Sequence, residues 1–296
     1  MYAGIEAGGT KFNCIIAEDP QNILVETRIP TTTPHETLTR VVNFFLEESL
    51  SRKITLKSLG IGSFGPLDLN KRSTHYGCIT STPKTAWQNV NIVKELEDRL
   101  HLPIDLDTDV NAAALGELYW GAGQGLQNIL YLTIGTGIGG GAIIARKPYH
   151  GLLHPEMGHI FLAQPFSEDD FKGVCPYHSH CFEGLASGPA LKARWGRDAA
   201  LLEPHHPAWD QETFYIAQAL STYINVLSPE IIILGGGVMQ QTHLFPLIRI
   251  KVIELLNGYL QIPAILENID QYIVPPGLGT RSGVLGAIAL ARSLVD

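Results

Sequence analysis

Three aspartates stand at alternate positions in the segment DLDTD, and they are the first candidates for acid–base chemistry: Asp105, Asp107 and Asp109. Alternate residues of a β-strand share one face, so the three carboxylates would lie together, with Asp109 at the strand end. A carboxylate there could accept the proton of a hydroxyl group. The next helix is predicted to run from Asn111 to Trp120, and taken alone Asp109 is better explained as its N-cap.

A second group of reactive side chains has the spacing of metal ligands. Cys175, His178 and Cys181 are separated by two residues each, and His159 lies upstream of them. Four thiolate and imidazole ligands make a closed tetrahedral zinc site of the structural type. Core cysteines and surface histidines are the alternative, but three ligands at this spacing in a segment without a helical stripe favour metal. His180 is also within reach and is the alternative to His178.

Two glycine-rich turns, each between apolar runs, could hold phosphate groups. Neither fits the Walker or the dinucleotide-binding pattern, because a strand follows each turn. Backbone N–H groups in such turns can form an anion-binding nest, to which threonine hydroxyls and a lysine ammonium add donors. A hairpin turn requires glycine even without a ligand, so one turn alone is weak support. The first turn offers Gly8, Gly9, Thr10 and Lys11, and the second offers Thr133, Gly135, Thr136 and Gly137.

The elements that must position these residues alternate between strands and helices. Apolar residues at helical spacing predict helices around residues 38–45, 92–100 and 216–227, and a buried strand is predicted at residues 229–234. This alternation indicates an α/β architecture. The pattern of strand, glycine turn and strand occurs twice, which favours a duplicated architecture with one copy per lobe. The C-terminal segment SGVLGAIALARSL is predicted to be a helix that returns to the first lobe.

Composition restricts the classes of function. The 296 residues predict about two domains, and 30 glycines exceed the average usage of about 7%. A net charge of −8 without a basic run argues against binding to nucleic acid or to a membrane surface. The N-terminus lacks the features of a signal peptide and no apolar stretch is long enough to span a membrane, so we expect a cytoplasmic protein. Four cysteines make a disulfide framework improbable.

Seven motifs resemble, in order, those of the ROK family of sugar kinases and repressors over nearly the whole chain: EAGGTK, TDVNAAALGE, TIGTGIGGG, HPEMGH, the Cys/His cluster, FEGLASGP and ILGGGV. EAGGTKF and CPYHSHC are most similar to its zinc-containing bacterial fructokinase branch. The resemblance implies a two-lobed actin/hexokinase-like ATPase fold with RNase H-like lobes, and an active site in the interlobe cleft. We predict a small lobe at 1–113, completed by the C-terminal helix at 281–296, a large lobe at 114–280, and a homodimer.

The resemblance also implies roles for individual residues. Asp109 takes the place of the catalytic base and Asn111 that of a sugar-binding asparagine. Glu156 matches the sugar-binding glutamate of the family, and His159 could hold zinc with one ring nitrogen and donate a hydrogen bond with the other. The further sugar contacts expected are Gly65, Thr82, Asn89 and Glu183. The nucleotide end is expected at Pro189, Gly236, Gly237 and Met239.

The sequence departs from the family pattern at three places. It has T-D-V-N where relatives have N-D-A-N, so the base is kept but a neighbouring amide is lost. Glu6 replaces an aspartate that is thought to hold magnesium through water, and it should still do so. His178 replaces a thiolate of the usual C-x-C-G-x-x-G-C.

We therefore expect an ATP- and Mg²⁺-dependent kinase that converts D-fructose to fructose 6-phosphate, with Zn²⁺ bracing the sugar loop. A mannokinase or glucokinase on the same scaffold is the alternative, because these motifs do not distinguish the hexoses. The repressors of the family carry a helix-turn-helix ahead of the first glycine loop, which here begins at residue 4. A non-catalytic sugar sensor is disfavoured by Asp109 and by the two phosphate loops.

Overall fold

The computed structural model describes residues 1–164 and 170–295. The strands are β1 (Tyr2–Ala7), β2 (Lys11–Ala17), β3 (Ile23–Pro30), β4 (Leu59–Ser63), β5 (Cys78–Ile79), β6 (Val90–Asn91), β7 (Ile104–Thr108), β8 (Ile129–Ile134), β9 (Ile138–Ile144), β10 (Lys147–Pro148), β11 (Ile231–Gly235) and β12 (Ile273–Val274). The helices are α1 (Pro34–Arg52), α2 (Ile92–Leu100), α3 (Asp109–Trp120), α4 (Phe182–Ala186), α5 (Gly188–Trp195), α6 (Ala208–Leu227), α7 (Leu244–Leu256), α8 (Pro263–Leu266), α9 (Ile269–Tyr272) and α10 (Ser282–Ser293). Within the described ranges, none of these helices has the length and apolar character of a membrane span.

The chain divides into two compact units. The first comprises Met1–Gly125, Gly141–Pro155 and Arg281–Asp296, and the second comprises Leu126–Gly140 and Glu156–Thr280. The lobe boundary predicted after residue 113 falls inside α3, which lies wholly in the first unit. Asp296 itself is outside the described residues. The division into 1–113 and 114–280 as functional lobes stays a prediction.

The first unit is built on a five-stranded sheet in the order β3-β2-β1-β4-β7. β1 pairs antiparallel with β2 and parallel with β4, and β4 pairs parallel with β7. In register, Ala7 lies opposite Ser63, which lies opposite Thr108, so three parallel strands end at the same edge. The loops that follow these strands carry the first glycine turn, Gly65 and Asp109, and the topology therefore brings them to one sheet edge.

Helices cover both faces of this sheet. On one face α1 and α2 bury the stripes predicted from the sequence, including Leu38, Phe45 and Leu96. On the other face, α3 and α10 pack against the sheet and against each other. A Cβ at Gly286 would overlap the carbonyl oxygen of Ala112, so only glycine permits this approach of the two helices. The C-terminal helix thus packs on the sheet formed by the N-terminal part of the chain.

The second sheet repeats the strand order of the first: β10-β9-β8-β11-β12. Three of its strands, β8, β11 and β12, are parallel, with Thr133 in register with Gly235. The predicted duplication is therefore confirmed as a repeated sheet topology. The chain passes from the second unit to the first within β9, between Gly140 and Gly141. In the second unit α6 packs against α7 and buries the stripe that contains Ile216 and Leu220.

Helix α3 begins at Asp109, two residues before its predicted start. Thr108 has extended backbone angles, and its Oγ1 accepts a hydrogen bond from the Asn111 backbone N–H at 3.1 Å. This is N-cap geometry, which ends β7 at Thr108. The expectation that Asp109 lies at the end of the strand is thus wrong by one residue, because Thr108 takes the capping position.

Candidate active site

Asp109 is half-buried and is the first residue of α3. Its Oδ1 accepts a hydrogen bond from the Val110 N–H at 2.9 Å. The alternative interpretation of Asp109 as the N-cap is wrong, since Thr108 performs that function. Asp109 is therefore placed at the carboxyl end of β7, where ligands bind in α/β sheets.

The two other aspartates of the alternating set are held by cations and amides. Asp107 is buried, and its Oδ1 accepts hydrogen bonds from the Thr108 N–H at 2.7 Å and from Asn111 Nδ2 at 2.8 Å. Asp105 pairs with Lys71 at 3.2 Å. Burial raises the pKa of Asp105, and the Lys71 ammonium opposes that rise. Both carboxylates are therefore engaged by other groups of the first unit.

Asn111 lies inside the first unit, with only 1% of its surface exposed. Its Nδ2 donates to Asp107, and its Oδ1 has no hydrogen-bond partner among the described residues. The amide is thus tied to Asp107, and a direct contact between Asn111 and a sugar stays a prediction.

Two histidines near these aspartates belong to the site but were not chosen from the sequence. His150 Nε2 lies 3.0 Å from Asp107 Oδ2, and this hydrogen-bonded carboxylate raises the pKa of His150. His154 is buried, and its Nε2 accepts a hydrogen bond from the Leu67 N–H at 3.0 Å. Burial lowers the pKa of His154, in keeping with a neutral ring that accepts. The sequence does carry one signal for them, because seven of its 11 histidines lie between residues 150 and 206.

The first glycine turn joins β1 to β2. The Gly8 N–H donates to the Lys11 carbonyl at 2.9 Å, and the Gly8 carbonyl accepts from Thr31 Oγ1 at 2.8 Å. A Cβ at Gly9 would lie 2.9 Å from Cε of Lys84. Thr10 and Lys11 are exposed, so their hydroxyl and ammonium groups can reach a ligand.

Glu6 lies in β1 just before this turn. Its Oε2 accepts a hydrogen bond from Asn13 Nδ2 at 2.6 Å. Burial raises the pKa of Glu6, while Asn13, Lys11 and Arg28 act in the opposite direction. A cation would relieve a carboxylate that is desolvated in this way. Mg²⁺ is commonly bound by one or two carboxylates together with phosphates and water, so Glu6 fits the role of such a ligand.

The other sugar contacts predicted in the first unit have distinct environments. Gly65 follows β4, and a Cβ there would lie 3.6 Å from the His154 ring. Thr82 is buried, and its Oγ1 accepts a hydrogen bond from the Lys84 N–H at 3.3 Å. Asn89 is exposed, with a positive φ of 59°. Their contact with a sugar stays a prediction.

The second glycine turn lies in the second unit, between β8 and β9. The Gly135 N–H donates to the Gly137 carbonyl at 2.9 Å, and the Gly135 carbonyl accepts from the Gly188 N–H at 2.7 Å. Gly188 opens α5, so this turn contacts a helix start. Thr133 is half-buried and Thr136 is exposed, which leaves the Thr136 hydroxyl open to a ligand.

The turn after β11 lies close to the second glycine turn. Gly236 has a φ of 93°, and a Cβ there would overlap the Ile134 backbone. A Cβ at Gly135 would lie 3.4 Å from the Gly237 nitrogen. The structure thus brings together the glycine turns predicted for phosphate and nucleotide in this unit. Around them Gly237 and Pro189 are exposed, whereas Met239 is buried.

Two glutamates lie close to one another in the second unit. Glu183 Oε2 accepts a hydrogen bond from the Ile138 N–H at 2.9 Å, and a Cβ at Gly137 would lie 2.8 Å from that oxygen. Desolvation, followed by the charge of Glu183, raises the pKa of Glu156 to about 7, although Glu156 is an exposed residue. Glu156 is therefore a carboxylate that gains from hydrogen-bond donors.

The four residues predicted as metal ligands come together. The ligand atoms of His159, Cys175, His178 and Cys181 all lie within 4.8 Å of one another. Cys181 Sγ and His159 Nδ1 are 3.6 Å apart, as are Cys175 Sγ and His178 Nδ1. With zinc bonds of about 2.3 Å to sulfur and about 2.05 Å to nitrogen, tetrahedral angles place such atoms about 3.6 Å apart. The donor set therefore fits zinc, and it contains His178 rather than His180.

The cluster is part of the same loop region as Glu156 and Glu183. His159 turns its Nδ1 towards both thiols, with Cys175 Sγ at 3.9 Å, which leaves Nε2 for another partner. Cys181 caps α4, the helix that carries Glu183, and its Sγ accepts from the Gly184 N–H at 3.3 Å. A metal held here would fix the positions of both His159 and α4.

The sequence model of the ROK family matches residues 2–293. A fructokinase of Lactococcus lactis subsp. cremoris is 44% identical and aligns with 99% of this chain and 97% of its own length. A fructokinase of Zymomonas mobilis subsp. mobilis is 42% identical, with coverages of 98% and 96%. The structure of a ROK family glucokinase from Streptomyces griseus in complex with glucose and AMPPNP has a TM-score of 0.76 at 26% identity, covering 99% of each chain.

Proposed function

Because this chain belongs to the ROK family, we propose that it is an ATP-dependent fructokinase, which transfers the γ-phosphoryl group of ATP to the 6-hydroxyl of D-fructose. Its fold is that of the sugar kinases with an actin-like ATPase fold. The observation that carries the choice of fructose is the 42–44% identity, over nearly full length, to two proteins named fructokinase, against 26% to a glucokinase.

Asp109 is the general base of this proposal. Phosphoryl transfer to an alcohol passes through a loose transition state, so the protein mainly positions the groups and one carboxylate accepts the hydroxyl proton. The start of α3 holds Asp109 just after the carboxyl end of β7, where its Oδ1 accepts a hydrogen bond from the Val110 N–H. Support therefore comes from the family motif and from the local hydrogen bonds together.

The second unit supplies the groups proposed to bind the sugar. Glu156 accepts hydrogen bonds from sugar hydroxyls, and such donors offset the cost of its partial desolvation. His159 donates from Nε2, because its Nδ1 is directed towards the thiols. Glu183 stays bound to the Ile138 N–H and lies close enough to affect the charge of Glu156.

The two glycine turns are proposed to bind the phosphates of ATP through backbone N–H groups. Lys11 adds a positive charge and Thr136 adds a hydroxyl, since both side chains are exposed. Glu6 would hold Mg²⁺. When bound, this ion neutralises the charge of the phosphate oxygens.

Zinc is proposed to be structural here. His159, Cys175, His178 and Cys181 would hold it, and a closed set of four ligands leaves no open position for substrate.

We also propose that the protein is a cytoplasmic homodimer, and the family resemblance supports this proposal. A monomer or a tetramer in analytical ultracentrifugation of the purified protein would contradict the dimer.

A coupled assay with Mg²⁺-ATP and a panel of fructose, glucose and mannose tests the function. We expect the highest kcat/KM with fructose. Asp109→Asn should lower kcat by about 10²–10⁴-fold, the range for loss of a general base, with little change in fructose binding by calorimetry. Asp98→Asn, which changes an exposed aspartate of α2 in the same unit, serves as the control and should retain activity.

The outcomes separate the parts of the proposal. Transfer to glucose far above fructose would overturn the choice of substrate and leave a hexose kinase. Retained turnover in Asp109→Asn would remove Asp109 as the base. A wild-type protein that phosphorylates none of the three hexoses would overturn the kinase function itself.

A further inference from the structure

His150 and Asp107 form an ion pair next to the start of α3. The His150 Nε2 lies 3.0 Å from one oxygen of Asp107 and 3.1 Å from the other. Asp107 is 4% exposed at its side chain, whereas the His150 side chain is 39% exposed. A partly exposed histidine thus contacts both oxygens of a buried carboxylate, and when protonated it supplies the counter-charge that such a carboxylate would otherwise lack.

Asp107 in turn holds the backbone and side chain on both sides of Asp109. Its Oδ1 accepts from the Thr108 N–H, one residue before Asp109, and from Asn111 Nδ2, two residues after it. The His150 Nε2 also lies 3.4 Å from Asn111 Nδ2. The carboxylate therefore fixes the first turn of α3, and His150 fixes the carboxylate.

We infer that His150 is a positioning residue for the general base, acting through Asp107 on the turn of α3 that carries Asp109. This inference rests on the proposed role of Asp109. Small errors in the placement of a reacting group can cost large factors in rate, so the loss of one hydrogen bond that aligns it is measurable in kcat. His150 itself touches Asp107 and takes no part in proton transfer.

The pair also sets the local charge. A protonated His150 neutralises Asp107, and the groups that face His150 are Asp107 and Asp105 on β7 and His154 on its own segment, with Tyr76 near both aspartates. Without the imidazolium, the negative charge of Asp107 stays uncompensated close to Asp109. A neighbouring negative charge makes a carboxylate harder to ionise, so the base would need a higher pH to lose its proton.

Steady-state kinetics of the full-length protein with fructose and Mg²⁺-ATP tests this role. We expect His150→Ala to lower kcat about tenfold, the effect of losing one charge-assisted hydrogen bond, with an unchanged KM for ATP. His150→Gln keeps an N–H donor towards Asp107 and should restore kcat to within about threefold of the wild type. Because neither alanine nor glutamine can carry the positive charge of a protonated histidine, both variants should move the acidic limb of the kcat/KM profile to higher pH.

His75→Gln is the matched control, since His75 is an exposed histidine of the same unit. It should leave kcat and the pH profile unchanged. A kcat of His150→Ala within twofold of the wild type overturns the inference, and so does an acidic limb that moves in neither His150 variant. If His150→Ala does not fold, the acidic limb of His150→Gln alone decides. A wild type that phosphorylates no hexose overturns the proposed function, and with it the role of His150.

Discussion

At the scale of single residues, Glu156 and Glu183 show how a binding group can be tuned by its neighbour. The Glu156 carboxylate is partly desolvated and feels the charge of Glu183, so its pKa rises to about 7. Glu183 keeps its own oxygen on a backbone N–H. Glu156 therefore changes its charge near neutral pH. Its ionised form is an acceptor at both oxygens, whereas the protonated form carries a donor O–H group.

Sugar binding should accordingly depend on pH. As the pH falls from 8 to 6 through the pKa of about 7, Glu156 takes up a proton and loses acceptor capacity. We expect the dissociation constant for fructose, measured by calorimetry without ATP, to rise about tenfold over this range. Glu156→Gln should bind fructose more weakly at pH 8 and lose most of this pH dependence.

Glu203→Gln is the control for that experiment, because Glu203 is an exposed glutamate of the same unit. It should reproduce the wild-type curve. Affinity for fructose that stays constant or improves as the pH falls would contradict the assignment of Glu156 as an ionised acceptor.

The residue types of the site were largely predictable, whereas their pairings were not. The motif around Asp109 is visible in the sequence, but Thr108, Asp109 and Asn111 can each cap a helix, and only backbone geometry distinguishes them. The contact between Asp107 and His150 joins positions 43 residues apart. No local pattern records such a contact, because it depends on how the segment after β10 returns to β7.

At the scale of elements, the metal cluster belongs to a segment with little regular structure. The ligands are presented by a short 3₁₀ turn at His159, by loop residues, and by Cys181 at the start of α4. Phe161 and Tyr177 are exposed, so these two aromatic side chains add little buried packing to the loop. Binding of zinc would then supply order that packing does not.

Removal of zinc should lower stability and activity together. We expect metal analysis to find about one zinc per chain in the wild type, and His178→Gln to retain much less, because three ligands leave the tetrahedral set incomplete. Treatment with a chelator should lower both the melting temperature and the kcat with fructose.

His180→Gln provides the matched control, as His180 neighbours Cys181 but is not among the four clustered ligands. It should keep its zinc. Loss of zinc in His180→Gln with retention in His178→Gln would exchange the roles of the two histidines, and a wild type without zinc would contradict the site.

Helices with clear periodicity were the most predictable elements. Leu38, Val41 and Phe45 are buried on α1 as expected, and the same holds for the apolar stripe of α2. Their amphipathic pattern follows directly from helical geometry. Helix α3 is different, because its apolar residues lie all round it and most are buried, so periodicity could not show where it begins.

At the scale of the whole molecule, the first unit is assembled from three segments of the chain. Its last segment, α10, lies against β1 and β4, where a Cβ at Gly60 would overlap the Ala287 carbonyl. Polar contacts add to this packing: Ser58 Oγ donates to the Ala291 carbonyl and Ser282 Oγ donates to Glu117, both at 2.6 Å. The two ends of the chain therefore stabilise the same core.

Gly286→Ala should test that assembly. Alanine in a helix gains about 1 kcal/mol over glycine, but the added Cβ would overlap the Ala112 carbonyl and force α3 and α10 apart. We expect a net loss of about 2 kcal/mol in the free energy of unfolding, seen as a lower denaturation midpoint. Gly151→Ala, whose Cβ would meet no heavy atom closer than 3.7 Å, should leave the midpoint nearly unchanged. Equal midpoints for both variants would contradict the close packing of α3 and α10.

The return of α10 to the first sheet also sets the order in which the protein can be completed during synthesis. Gly4 and Gly60 lie on the sheet face that α10 covers, more than 200 residues earlier in the chain. As the ribosome makes the chain from the N-terminus, this face stays uncovered until residues 282–293 have emerged. The second unit is made in the meantime and can close first. Contacts over such long sequence separations also slow folding, so the N-terminal sheet, although it is made first, becomes complete last.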